Sequence, residues 1–181
     1  MRTVGPEEDC CLLSALGRGD MSALDALYDK YGALIYQFLI LHTRTREDAE
    51  DVLQEAFLSL IERGRGVTSI RNVKAYLLKV ALNKASHLHR RAAPVSLSER
   101  DADLVDLDDP GPEGVFRSVD VRDALEQLPL AQCEVIILKV WHELTFAEIA
   151  EVLDVSINTA ASRYRYGLEK LQQTLGGANG K

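Results

Sequence analysis

The sequence is poor in the features that mark membrane, secreted or metal-built proteins. No apolar run approaches the roughly 18 residues a membrane helix needs, and no basic start leads into an apolar stretch with a small-residue cleavage site. The expectation is a soluble, cytoplasmic protein with no membrane partner. Cysteines are only three, Cys10, Cys11 and Cys133, an odd number without C-x-x-C spacing. That pattern suggests neither a disulfide framework nor a zinc ribbon, so no metal and no cofactor are expected. Cys133 reads as core, and the adjacent pair as thiols of a short frayed N-terminus. His87 and His89 stand two apart, which on a helix turns them to different faces and argues against a shared ion. Internal repeats are missing, and no alternating strand pattern survives competition from helical spacing.

What is present is helical periodicity. The chain has 181 residues and 46% hydrophobic content, enough for one ordinary domain or two small ones with real cores, and too apolar for disorder throughout. From about Asp20 to His42, Leu24, Leu27, Tyr28, Tyr31, Leu34, Ile35, Phe38 and Leu41 keep helical spacing, with a bend expected near Gly32. A second helix is predicted over Arg46 to Glu62, burying Ala49, Val52, Leu53, Ala56, Phe57, Leu60 and Ile61. After a loop containing Gly64 and Gly66, a third runs over Asn72 to Arg91 on Val73, Tyr76, Leu77, Val80, Ala81 and Leu88. Residues 92–120 lose this periodicity and gain Pro94, Pro110, Pro112, Gly111, Gly114 and many carboxylates, the composition of a flexible linker. A short helix from Val121 to Gln127 ends at Leu128-Pro129, and Pro129 suits the first turn of the next, which carries Val135, Ile136, Leu138, Val140 and Trp141 inward. The organisation predicted is all-α: an N-terminal extension (1–19), a three-to-four-helix bundle (20–91), an acidic linker (92–120), a four-helix domain (121–175) and a polar tail (176–181).

The segment LTFAEIAEVLDVSINTAASRYRYGLEKL, Leu144 to Leu171, reads as a helix-turn-helix. Thr145 and Glu148 form a capping box, and Leu144 is placed to staple against Ile149. Asp154 tolerates left-handed backbone, and Ser156 can cap the next helix. In that helix Ala160, Tyr164, Leu168 and Leu171 make the packed face. Asn158, Thr159, Ser162, Arg163, Arg165 and Tyr166 are left outward, and hydroxyl, amide and guanidinium groups at the start of a second helix suit base edges and phosphates in a major groove. Cations are few here: only Arg163, Arg165 and Lys170 lie between 140 and 180, so this domain alone binds DNA weakly.

Charge is unevenly placed. The net charge is −7, of which −6 lies in 92–120, whereas 20–91 is +2. Within 63–91 stand Arg63, Arg65, Arg71, Lys74, Lys79, Lys84, Arg90 and Arg91, with no Asp or Glu. A solvated basic face is the plain alternative, but eight cations of one sign in a net acidic chain point to phosphate contact. Asp48, Asp51 and Glu55 share a face of the preceding helix. Carboxylates early in a helix suit the dipole and solvation, so no enzyme is expected.

Together the two halves resemble a family, the small two-domain extracytoplasmic-function (ECF) sigma factors of the sigma-70 family. DAEDVLQEAFLSL (48–60) is similar to its region 2.2, YLLKVALNKASHLHRR (76–91) to regions 2.3 and 2.4, and ALEQLPLAQCEVIILKVWHELTFAEIAEVLDVSINTAASR (124–163) to region 4. The larger sigma factors' segments before region 2 and between regions 2 and 4 have no counterpart. The resemblance implies a promoter-specificity subunit that joins bacterial RNA polymerase core, recognises and opens promoter DNA, and takes an anti-sigma protein as a further partner. Asp51, Gln54 and Glu55 fall on positions that dock on the polymerase's clamp helices. Arg71, Lys74, Asn83, Lys84, His87, Arg90 and Arg91 would approach the −10 element, with Arg63, Arg65 and the rest of the loop to Ile70, beside Tyr76, capturing a base flipped from the non-template strand. Asn158, Thr159, Ser162, Arg163 and Arg165 would meet the −35 element. Tyr76 stands where relatives usually have Trp, His87 where an acidic or amide residue is common, and Ala161 where Lys is frequent; the last two alter groups near DNA, so promoter preference does not carry over. Two alternatives stay open: a sigma-like decoy that binds only an anti-sigma protein, and a stand-alone helix-turn-helix regulator.

Overall fold

The computed structural model describes residues 6–91, 124–125 and 127–178, and contacts divide the chain into two units, one within Met1–Asp106 and one within Leu107–Lys181. Among the described residues every regular element is helical.

In the first unit, α1 (Pro6–Gly17) corrects the expectation of a frayed N-terminus. Proline at the first position and Glu7, Glu8 and Asp9 in the first turn suit a helix start. Leu13 and Leu16 on its inner side are buried. Asp20 then begins α2 (Ser22–Ile40) by accepting from the Ser22 amide at 3.1 Å and its hydroxyl at 2.7 Å. These bonds hold the fully exposed Asp20 carboxyl below its usual range. The helix passes unbroken through Gly32, which lies buried beside the Tyr28 ring. Thr45 caps α3 (Arg46–Glu62) through the Asp48 amide at 3.0 Å. The expected loop tightens into a 3-10 turn, Gly64–Ser69, entered through Gly64 at φ +52°. Asn72 caps α4 (Val73–Arg91) through the Ala75 amide at 3.0 Å. Helices α2, α3 and α4 pack on one another, while α1 lies on α2 and the 3-10 turn. Leu27, Ile35, Phe38, Leu39, Leu60, Leu77 and Leu78 form the dry centre.

Helical spacing places Tyr28, Ile61 and Leu88 inward, but the structure leaves them exposed. Ile61 and Leu88 sit in the last turns of their helices, where fewer neighbours cover them. Tyr28 stays partly outside while its ring leans on Phe57 at 4.9 Å.

The second unit contains α5 (Leu130–Val140), α6 (Phe146–Leu153) and α7 (Ile157–Ala178). The helix expected over 121–127 falls mostly outside the described residues, although Ala124 and Leu125 are helical and buried. Pro129 caps α5 from just outside, with no side-chain bond. Val140, expected inward, is exposed as the last residue of α5, and α7 runs three residues into the expected tail. Gly167 lets α7 approach α5: a Cβ there would stand 2.7 Å from Ile136 Cδ1.

Candidate nucleic-acid and polymerase interfaces

The helix-turn-helix is set by short-range bonds at each of its ends. The capping box is complete: Thr145 Oγ1 accepts from the Glu148 amide at 3.3 Å and Glu148 Oε2 accepts from the Thr145 amide at 2.8 Å. Leu144 and Ile149 are both fully buried, as a staple requires. Asp154 ends α6 at φ 53°, ψ 50°, and Ser156 Oγ accepts from the Thr159 amide at 3.0 Å to start α7. Ala160 is fully buried, and the half-buried Tyr164 ring meets Phe146 edge-on at 5.5 Å.

On the outer side of α7 the spacing i, i+4, i+7 draws two adjacent rows. Asn158, Ser162 and Arg165 make one; Thr159, Arg163 and Tyr166 make the other. Asn158, Arg165 and Tyr166 are exposed, whereas Thr159, Ser162 and Arg163 are partly covered. The Thr159 hydroxyl is engaged with Ser156 at 2.8 Å, and the Arg165 guanidinium lies over the Tyr166 ring at 5.0 Å. Tyr166, which the sequence marks only as outward-facing, therefore stands beside the candidate contact Arg165.

In the first unit, Asp51, Gln54 and Glu55 are all exposed on α3. Glu50, Leu53 and Gln54 also line a shallow cavity of about 400 Å³ with Tyr28, Gly32, Ala33 and Tyr36 of α2. Arg63 is committed to the 3-10 turn. It donates to Ser69 Oγ at 3.3 Å, and its guanidinium stacks 5.3 Å from the Tyr76 ring. Tyr76 in turn lies 3.3 Å, hydroxyl to hydroxyl, from Ser59 on α3. Arg63 and Tyr76 thus join the turn to both flanking helices, and Arg65 and Arg71 are left exposed.

Along α4, Tyr76, Lys79, Asn83 and His87 follow one outward row, in which Lys79, Asn83 and His87 are exposed. Sequence alone marks Lys79 as one cation of the basic run rather than a contact residue, and this row sets it beside the candidate contacts Asn83 and His87. Lys74 is nine residues before Asn83, two and a half turns, and so stands on the opposite side of α4. Lys84 turns toward α3, where its ammonium pairs with Glu55 at 2.7 Å. The structure thereby brings together one residue assigned to polymerase and one assigned to DNA. The side chains of Arg90 and Arg91 lie outside the described residues.

Comparison with known proteins identifies the class. The family description "Sigma-70 region 2" matches residues 27–94, and "Sigma-70, region 4" matches residues 118–171. The ECF RNA polymerase sigma factor SigM of Mycobacterium tuberculosis is 29% identical over 94% of this chain and 86% of its own length. SigW of Bacillus subtilis, another ECF sigma factor, is 26% identical over 87% of this chain and 91% of its own. Among solved structures, CnrH in complex with the cytosolic domain of CnrY shares the fold at TM-score 0.65 and 22% identity, covering 93% of this chain and 97% of that one. RpoE in complex with the anti-sigma factor NepR, from Bartonella quintana, does so at 0.59 and 23%, covering 84% and 97%. The chain belongs to the sigma-70 family. More narrowly it is a small ECF RNA polymerase sigma factor, a non-enzymatic initiation factor whose partners are the polymerase core and promoter DNA. Among the described residues no helix is long and apolar enough to cross a membrane.

Proposed function

We propose a division of labour within this sigma factor. The α3 face of Asp51, Gln54 and Glu55 docks on the polymerase core. The 3-10 turn and the outward row of α4 engage and open the −10 element, with Arg63, Arg65, Arg71, Tyr76, Asn83, His87, Arg90 and Arg91 as the contacting set, joined by Lys79. Lys74 and Lys84 stay in that set as contributors to the positive field. The exposed rows of α7, led by Asn158, Ser162 and Arg165, read the −35 element in the major groove with Thr159 and Arg163 at their side.

The observation that carries this reading is the segregation of charge by surface. Acidic and amide groups cover the outward face of α3, while the run from Arg63 to Arg91 holds no carboxylate. An acidic face repels DNA, and a basic one attracts it. Each unit binds modestly alone, and joining them in one chain raises the effective concentration of the second contact after the first. The chain works in the cytoplasm, where the polymerase and promoters are.

An anti-sigma protein is a further partner in this reading, since RpoE was solved in complex with the anti-sigma factor NepR. Its contact is assigned to the face around Glu50 to Glu55, which would exclude the core by competition. Charge reversal separates the parts. Asp51→Arg should abolish core binding and leave −35 duplex binding intact, whereas Arg165→Ala should weaken −35 binding by about 1–3 kcal/mol and leave core binding intact. Loss of both activities in both variants would remove the assignment.

A further inference from the structure

The N-terminal helix, whose sequence suggests only a loose extension, packs directly on the turn assigned to DNA opening. Leu13 and Leu16 of α1 are 2% and 6% exposed, and Val67 of the 3-10 turn is completely buried. The contact closes at Gly17. A Cβ there would stand 3.4 Å from both Val67 Cγ1 and Thr68 Cγ2, and 3.9 Å from the Arg65 Cα. The last turn of α1 therefore forms a floor under the stretch that carries Arg65. Its far end is fastened to α2, where Asp9 accepts from Lys30 and from the Tyr31 hydroxyl at 2.5 Å each, and Glu8 pairs with Lys30 at 3.3 Å. Lys30 and Asp9 are only 20% and 15% exposed, so the fastening is shielded from water.

We propose that α1 is a positioning element for promoter opening: clamped to α2 by Asp9, Lys30 and Tyr31, it presents a glycine-closed floor that holds the 3-10 turn and Arg65 in the geometry needed to take up an unpaired base. This deepens, and rests on, the assignment of the turn to the −10 element. The turn needs such support because its internal bonds are local. Ser69 Oγ and Thr68 Oγ1 donate to carbonyls three residues back, and Val67 is its only fully buried side chain among the described residues. A turn of six residues carrying two glycines has few conformations blocked by its own sequence. Without a neighbour, ordering it would fall to the DNA and lower the yield of opened promoter.

Three full-length variants, each assembled with core polymerase, test this. In Gly17→Ala the added methyl meets ordinary contact distances, and opening should match the parent. In Gly17→Leu the side chain must displace Val67 and Thr68. Arg65→Ala removes the presented cation without touching the floor. The readouts are core affinity, permanganate reactivity of unpaired thymines at the −10 element, and transcription from a template already unpaired there. Gly17→Leu should keep core affinity, lower permanganate reactivity by about tenfold or more, as misplacement by about 1 Å does to other positioned reactions, and recover on the unpaired template.

Normal opening by Gly17→Leu alongside defective opening by Arg65→Ala would overturn the positioning role and leave the turn's assignment standing. Normal opening by both would overturn the assignment itself, and the proposal with it. Parallel loss of core affinity in Gly17→Leu would reduce α1 to a general stabiliser and likewise overturn the proposal.

Discussion

Replacing Gly167 by alanine sets two rules of protein chemistry against each other. Glycine inside a helix costs roughly 0.5–1 kcal/mol relative to alanine, so helix propensity alone makes Gly167→Ala stabilising. The packing says the reverse. The new methyl would stand 2.7 Å from Ile136 Cδ1 and 3.3 Å from Gln132 Cβ, both on α5. Carbon atoms pack best at about 3.5–4.0 Å, so roughly 1 Å of overlap must be relieved. Ile136 is 2% exposed and has no room to swing aside, and Gln132 Cβ moves only with its backbone. Overpacking of this kind costs about 1–3 kcal/mol, which leaves a net loss of about 0–2.5 kcal/mol after the propensity gain, centred near about 1 kcal/mol. The single tryptophan, Trp141, lies in the second unit just after α5 and reports its unfolding by fluorescence in urea, independently of the first unit. Ile136→Val removes the clashing Cδ1 at a cost of about 0.5–1.5 kcal/mol by itself. In the pair of substitutions the Gly167→Ala penalty should shrink or change sign, a coupling that a double-mutant cycle measures. A Gly167→Ala protein more stable than the parent would refute the close approach of α5 and α7.

Buried groups supply two further tests. Burial first, and then the hydrogen bond to Asp9, push the Tyr31 phenol well above the usual tyrosine range. The folded state therefore holds that proton more tightly than the unfolded chain does, and the stability it adds is complete below the unfolded value of about 10 and disappears as pH climbs toward the raised one. In an alkaline titration Tyr31 should resist forming phenolate through the ordinary tyrosine range, and Asp9→Asn should bring its ionisation down; ionisation of Tyr31 in the ordinary range would contradict the α1–α2 fastening. The thiols divide the same way. Cys10 and Cys11 are exposed on α1 while Cys133 is buried, so a disulfide reagent should take two thiols promptly and the third only on unfolding.

Much of the second unit was legible because its signals are local. Thr145, Glu148, Asp154 and Ser156 each act within four residues of themselves, and all four do in the structure what their chemistry suggests. Gly167 was not legible, since its role lies in Ile136, an α5 residue far back along the chain. The N-terminal helix was missed for a different reason. Its proline start and three acids were present, but 12 residues with two deeply buried leucines give a faint periodic signal, and the surface it covers is formed by Val67 much later. Among the candidate contacts, residue types single out helices but not the faces of those helices. Lys74, Lys79 and Lys84 look alike in sequence; helix phase places Lys79 in the outward row, turns Lys74 away, and hands Lys84 to Glu55.

The central claim is that one chain carries a polymerase-docking face and two DNA-reading surfaces. Titrating purified core RNA polymerase with the protein, followed by run-off transcription on fragmented DNA of the source genome, tests it most directly. Saturable binding with discrete new transcripts, whose upstream sequences share two elements spaced as −10 and −35, is the result predicted. Binding without any discrete transcript, or no binding at all, would contradict it.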